Sequence, residues 1–322
     1  MDKRAIIQEA IGQMQASGTI KDPQYEVVSD ANNLVSRVED KYLKIYTPGN
    51  STIQDNELAL MRVTKNPELY KKMLHDGRLS QQNGGFDYAL FEAIHGKTLD
   101  EVNYTPEQAA GIAKTVYDHI QDTRQIPSTG FGDINANFEG AYDNFPEYIW
   151  DLQHKTSTTL FMEPSTRKYS KLSYNLLADN ADILKVEKPS IVPVDLNFKN
   201  IMVTNDGATK IIDPGALISA PPEMAYAEMM AWGEGTPLYE EFKKHMGGAD
   251  ERLTRLLSTL TLSNVLAFIT KHKITEPHLA KPFGSERTFF EAIDYNAEKL
   301  RKPIVGTGIK GMNFAKEDEL TK

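Results

Sequence analysis

The sequence predicts an α+β protein in two parts, a small antiparallel sheet followed by a larger and mainly helical region. Three observations carry this. Between residues 25 and 46, short apolar and aromatic runs are separated by turn residues, which is how antiparallel strands with tight connections read. After residue 100, apolar side chains recur at steps of three and four instead, the spacing of amphipathic helices. A chain of 322 residues also exceeds what one core usually organises. The expected division is 1–95 and 96–322.

In order, Ile6, Ile7, Ala10, Ile11 and Met14 predict an opening helix that ends at Ser17 and Gly18. Strands are expected over 25–28, 34–38 and 42–46, joined by the polar segment from Ser29 to Asn33 and by a Glu39-Asp40 turn. Lys44 interrupts the third strand and shares a face with Tyr42 and Tyr46, because side chains alternate along a strand. A helix is expected from about Gln54, with Glu57 in its first turn. A further strand is expected over 86–94, running into the turn His95-Gly96-Lys97-Thr98-Leu99. Thr105 followed by Pro106 and Gln108 is a helix start. Ala109, Ile112, Ala113, Val116 and Ile120 continue that helix as a core stripe. Residues 126–138, with Pro127, Gly130 and Gly132, read as loop, and further core helices are expected over 145–152, 172–184, 224–232 and 253–269. The tail from Lys310 is polar.

Composition excludes several classes of function. There is no cysteine, which removes disulfides, thiolate nucleophiles and cysteine-based zinc sites, and the seven histidines show no ligand spacing. The net charge of −9 lies mostly after residue 95, which argues against a nucleic-acid partner. It suits a cationic small substrate, and equally a solvated acidic surface. No signal peptide or membrane-length run is read, so a cytoplasmic protein with no membrane partner is expected. The oligomeric state stays open.

The chemistry concentrates in 191–215. Asn205-Asp206-Gly207 between Ile201-Met202-Val203 and Lys210-Ile211-Ile212 reads as a hairpin. Asp195 and Asn200 stand before it and Asp213 after it, so folding back brings the three to one end. Such a set suits phosphoryl transfer from a magnesium nucleotide, with Asp195 receiving the hydroxyl proton and Asn200 and Asp213 supplying hard oxygens to the metal. The same residue types also favour turns for purely local reasons.

The pattern D-x-x-x-x-N, a hairpin and then Ile212-Asp213 resembles the aminoglycoside phosphotransferase and choline kinase group of the protein-kinase-like fold. That resemblance implies a two-lobed architecture, ATP and Mg2+ as cofactors, and the hydroxyl of a small molecule as acceptor. It implies that Lys44 contacts the nucleotide phosphates and is fixed by Glu57, and that Ser29 and Asn32 lie in a phosphate-approaching loop. The backbone of Glu92 and Ile94 would meet the adenine edge, with Phe91 behind it. Two positions depart from the usual H-G-D, which here reads Pro193-Val194-Asp195. These departures keep open a catalytically inactive, nucleotide-binding regulator. A protein kinase is disfavoured because Ala220-Pro221-Pro222-Glu223 follows Asp213 too closely for an activation segment. Tyr226, Trp232 and Tyr239 are weighed as a cage for a quaternary ammonium against ordinary packing. Glu223, Glu228 and Glu234 are weighed as amine ligands against a solvated face.

Overall fold

The computed structural model describes residues 2–30, 33–47, 51–282 and 285–301, with backbone alone over 51–55. Helix α1 (Lys3–Ala16) starts where Asp2 accepts hydrogen bonds from the backbone N–H groups of Arg4 and Ala5. Strands β1 (Tyr25–Ser29), β2 (Leu34–Val38) and β3 (Lys41–Ile45) then form an antiparallel meander. Helix α2 (Ser51–Val63), β4 (Met73–Arg78) and β5 (Asp87–Glu92) follow, and the finished sheet has the order β1-β2-β3-β5-β4. Because α2 begins at Ser51, Glu57 sits in its second turn and not its first. Strand β4 was not foreseen: His75, Asp76 and Arg78 break any apolar alternation, as befits a strand at the sheet edge.

The two-residue period of β3 divides the lobe. Leu43 and Ile45 join Ile7, Ile11 and Met14 of α1 in one buried cluster on the back of the sheet. Tyr46, Ala89 and Phe91 cluster with Leu58 of α2 on the other face. Lys44 therefore points away from α1 and towards the rest of the molecule.

Strand β6 (Gly96–Thr98) leaves the small lobe, and α3 (Pro106–Thr123) begins with a complete capping box between Thr105 and Gln108. Strands β7 (Phe131–Ile134) and β8 (Gly140–Tyr142) come next, so the segment expected to be loop contains a strand. Its partners are β8, close by, and β12, distant in sequence. The irregular β7–β8 register and the positive φ of Gly130 and Gly132 hid it from local patterning. Helices α4 (Phe145–Met162) and α5 (Arg167–Asp179) precede β9 (Ser190–Pro193), β10 (Ile201–Thr204), β11 (Thr209–Ile211) and β12 (Leu217–Ala220). Helices α6 (Glu223–Gly233), α7 (Pro237–Lys243), α8 (Glu251–His272) and α9 (Phe289–Arg301) complete the large lobe. Helix α8 has 22 residues and a window of mean hydropathy 1.3, so one run does reach the length of a membrane span. Its burial explains it: Leu256, Leu257, Leu260 and Leu266 lie in the main core beside Leu160, Leu176, Met229 and Ile293.

Two junctions fix the lobes together. Asp122 of α3 accepts hydrogen bonds from Thr64 Oγ1 (2.6 Å), Asn66 Nδ2 (2.7 Å) and Tyr70 Oη (3.0 Å), tying the α2–β4 connection to the large lobe. Buried His119 adds a 2.9 Å contact from Nδ1 to the Tyr70 hydroxyl, and burial lowers its pKa to about 4. At the second junction, β6 pairs with β10, and Asn205 N–H donates to the His95 carbonyl at 2.9 Å. A Cβ at Gly96 would come within 2.2 Å of the Val203 carbonyl oxygen, so only glycine permits that approach.

Candidate functional site

A cavity of about 430 Å³ lies where the small sheet faces the hairpin, lined by Ser29, Val35, Lys44, Lys71, Phe91, Glu92, Ile94, Asn200 and Asp213, among others. The expected site residues Ser29, Lys44, Glu92, Ile94, Asn200 and Asp213 are thus brought together. Asn32 lies outside the described residues. Glu57 is not a wall residue but stands behind Lys44, buried to 1% exposure.

Lys44 is the hub. Its ammonium bonds Glu57 Oε2 at 2.6 Å and Asp213 Oδ1 at 2.9 Å, joining the sheet, α2 and the residue after β11. Tyr46 Oη also donates to Glu57 Oε2, at 3.0 Å. Burial works against the charge on Lys44, but Glu57 and Asp213 outweigh it and its pKa is raised. Burial likewise opposes the charge on Glu57, yet Lys71 and Lys44 hold its pKa down at about 2.

Lys71 was not foreseen. Its ammonium lies 2.7 Å from Glu57 Oε1 and 4.1 Å from the centroid of the Phe91 ring. It precedes an irregular strand and no spacing marks it, so only the fold reveals it. Val35 was legible in principle: it pairs with Lys44 across the β2–β3 ladder and so shares its face.

The hairpin forms as expected, with Ile201 opposite Ile211 and Val203 opposite Thr209. Gly207, at φ +87°, takes the left-handed position that closes its short loop. On the approach to the hairpin, Asp195 itself adopts φ +70°, a conformation costly for a residue with a Cβ. Three side-chain hydrogen bonds hold it there. Asn200 Nδ2 donates to the Asp195 carbonyl at 2.9 Å and to Oδ2 at 3.0 Å, and Asn197 Nδ2 donates to Oδ1. The buried side chains of Leu196 and Phe198 anchor the same loop from below. This use of the Asn200 amide leaves its oxygen as the open acceptor. The Asp195 carboxylate opens to solvent, yet the protein around it raises its pKa, through burial first and nearby Asp213 last.

Beneath this loop lies an acidic residue in a role that neither reading of it suggested. Glu228 of α6 is 7% exposed and accepts hydrogen bonds from Trp232 Nε1 (3.1 Å), Thr261 Oγ1 (3.3 Å) and the Asp195 backbone N–H. With only neutral donors around it, burial pushes its pKa up to about 7. Glu228 is therefore neither an amine ligand nor part of a solvated face. Glu223 receives the Asp250 N–H at 3.2 Å, and Glu234 pairs with Arg255 at 3.0 Å, so these two are structural as well. Tyr226, Trp232 and Tyr239 are 5%, 6% and 3% exposed, which removes the aromatic cage.

The donor set fits a hard divalent cation. Asp213 bonds Lys44 through Oδ1 and is 48% exposed, which leaves carboxylate surface open on the cavity that Asn200 also lines. Among the described residues no group of three or more His, Cys, Asp or Glu is arranged for a metal. Phosphate and water oxygens would complete the shell, as is usual for magnesium.

No protein-family model matches the sequence, and no curated protein sequence does. Solved structures do match. The apo form of a thermostable mutant of aminoglycoside phosphotransferase APH(4)-Ia aligns with TM-score 0.63 at 15% identity, over 91% of this chain and 96% of that one. A ternary complex of such a mutant holds AMP-PNP and hygromycin B. The GDP and kanamycin complex of APH(2")-IIia gives 0.59 at 14% identity, over 89% and 95%. Choline kinase LicA from Streptococcus pneumoniae gives 0.56 at 14% identity, over 91% and 98%. With a five-stranded antiparallel sheet set over a helical lobe and these relatives in space, the chain has the kinase-like fold of the aminoglycoside phosphotransferases and choline kinase.

Proposed function

We propose that this chain is a phosphotransferase that moves the terminal phosphoryl group of ATP, with magnesium, to the hydroxyl of a small molecule. The observation that carries the reading is the junction at Lys44, where one ammonium meets a buried glutamate and the cleft aspartate at 2.6 and 2.9 Å beside the hairpin. Lys44 would hold the phosphates, with Glu57 fixing its position. The backbone of Glu92 and Ile94 would receive the base, and Ser29 lies on the same cavity. Asn200 and Asp213 would hold the magnesium ion, which neutralises phosphate charge when bound. As the acceptor oxygen bonds to the terminal phosphorus, the bond from that phosphorus to the bridging oxygen breaks and ADP leaves. The acceptor proton passes to Asp195, whose raised pKa makes it a better base than an ordinary aspartate.

A cationic acceptor is supported by the net charge of −9 and by the amino sugars and choline kinase among the structural relatives. A second reading, an inactive nucleotide-binding regulator, is favoured by one observation, proline in place of the usual histidine at Pro193. Pro193 closes β9 opposite Leu217, and its fixed φ stiffens the entry to the loop. That supports competence without histidine.

The test is ATP consumption with magnesium across aminoglycosides, choline and other hydroxylated amines. Asp195→Asn is expected to lower kcat by about 10²–10⁴-fold while Mg-ATP still raises the melting temperature. Asp213→Asn should lose the magnesium-dependent part of that rise. Melting curves of the parent protein that ignore millimolar Mg-ATP would remove both readings. Nucleotide binding without turnover on any acceptor would leave the regulator.

A further inference from the structure

The buried charges behind the cleft do not balance as a single lysine–glutamate pair would. Glu57 offers one carboxylate to two ammonium groups, Lys71 at Oε1 (2.7 Å) and Lys44 at Oε2 (2.6 Å). Both lysine side chains are enclosed, at 13% and 9% exposure. An unmatched cation in such a place is costly unless an anion answers it. Asp213 answers it, in contact with Lys44 and through space with Lys71. It is also the residue whose open oxygen suits a metal, and a divalent cation there would withdraw its charge from Lys44.

Lys71 reaches Glu57 from a different part of the molecule than Lys44 does. It follows Tyr70, whose hydroxyl is bound to Asp122 and His119 of α3 and whose backbone bridges to Ile211 of the hairpin. Lys44 rides on the sheet. The Glu57 carboxylate is thus gripped from the sheet and from the α2–β4 connection, which is tied to the large lobe.

We propose that Lys71 is a positioning residue of the phosphate site: it pins Oε1 of Glu57 so that Oε2 stays with Lys44, and, once Asp213 turns its charge to a metal, it leaves the cluster with an excess positive charge that a polyphosphate completes. This rests on the nucleotide reading above. Burial first, and then the neighbouring Lys44, lower the pKa of Lys71, with Glu57 and Asp213 opposing them.

Calorimetry with adenosine, ADP and Mg-ATP on the parent, Lys71→Gln and Lys71→Arg tests the assignment. Glutamine keeps a donor for Oε1 but no charge. The expected result is a rise of about tenfold or more in the Kd of ADP and Mg-ATP for Lys71→Gln, adenosine affinity unchanged, and near-parent values for Lys71→Arg. Equal losses for adenosine and Mg-ATP, or none, overturn the assignment while leaving the nucleotide reading standing. A parent protein that binds none of the three overturns both. A measurement on the parent alone guards against variants that do not fold. Inorganic tripolyphosphate with magnesium should raise its melting temperature above that in magnesium chloride of equal ionic strength, and no difference counts against the proposal.

Discussion

Two glutamates are buried under the two walls of the cleft, and they are in opposite states. Glu57, below the sheet, is flanked by Lys44 and Lys71 and is held ionised, with its pKa at about 2. Glu228, below the Asp195 loop, has Trp232, Thr261 and a backbone N–H around it and is pushed up to about 7. Their burial is alike, at 1% and 7% exposure. The neighbours decide the charge. One wall of the cleft is built on cations, while the loop that holds Asp195 rests on a carboxyl group able to give up its charge.

The comparison breaks most visibly at Glu57. Glu57→Gln leaves two buried ammonium groups with no carboxylate between them, and a loss of about 3–5 kcal/mol is expected in chemical denaturation. Unfolding at the parent's denaturant midpoint would show that the cluster is not a closed unit. Glu228→Gln should act with the opposite sign and depend on pH. Because the folded pKa of Glu228 lies above its ordinary 4.5, the parent binds this proton more tightly when folded. That contribution is full below pH 4.5 and is lost as pH rises to about 7. Glu228→Gln should therefore match the parent near pH 4.5 and exceed it above pH 7, by up to about 3 kcal/mol. A constant difference across that range would mean that the carboxyl group does not titrate there. The smallest effect is expected at Pro193. With Asp195 held by Asn197, Asn200 and the Glu228 contact, Pro193→His should change kcat less than about threefold. Turnover that appears only in Pro193→His would favour the regulator reading.

How much was legible follows from the reach of each signal. The hairpin, Lys44 and the segment from Phe91 to Ile94 lie in local patterns, a turn sequence, a two-residue period and a strand running into glycine, and these survive in the fold. Lys71 and the pairing of β7 with β12 depend on contacts between distant segments, which one sequence does not display. Glu228 did leave a trace: an acidic residue inside the apolar run from Met224 to Trp232. A solvated face would not place it there. Tyr226, Trp232 and Tyr239 take the packing role that was weighed against a cage, since aromatic residues on an apolar helix serve its core.

The stitch between β6 and the hairpin sets a ruler into the cleft. Ile94 and Asn200 each adjoin the short ladder in which Gly96, Lys97 and Thr98 pair with Thr204, Val203 and Met202. The span between the end that would receive a base and the end that would receive a metal is fixed by paired backbone, whatever tilt the sheet adopts above it. Under the proposed function a nucleotide would thereby be gauged by its length, and a side chain at Gly96 would wedge the ladder apart and spoil the calibration before it touched any ligand.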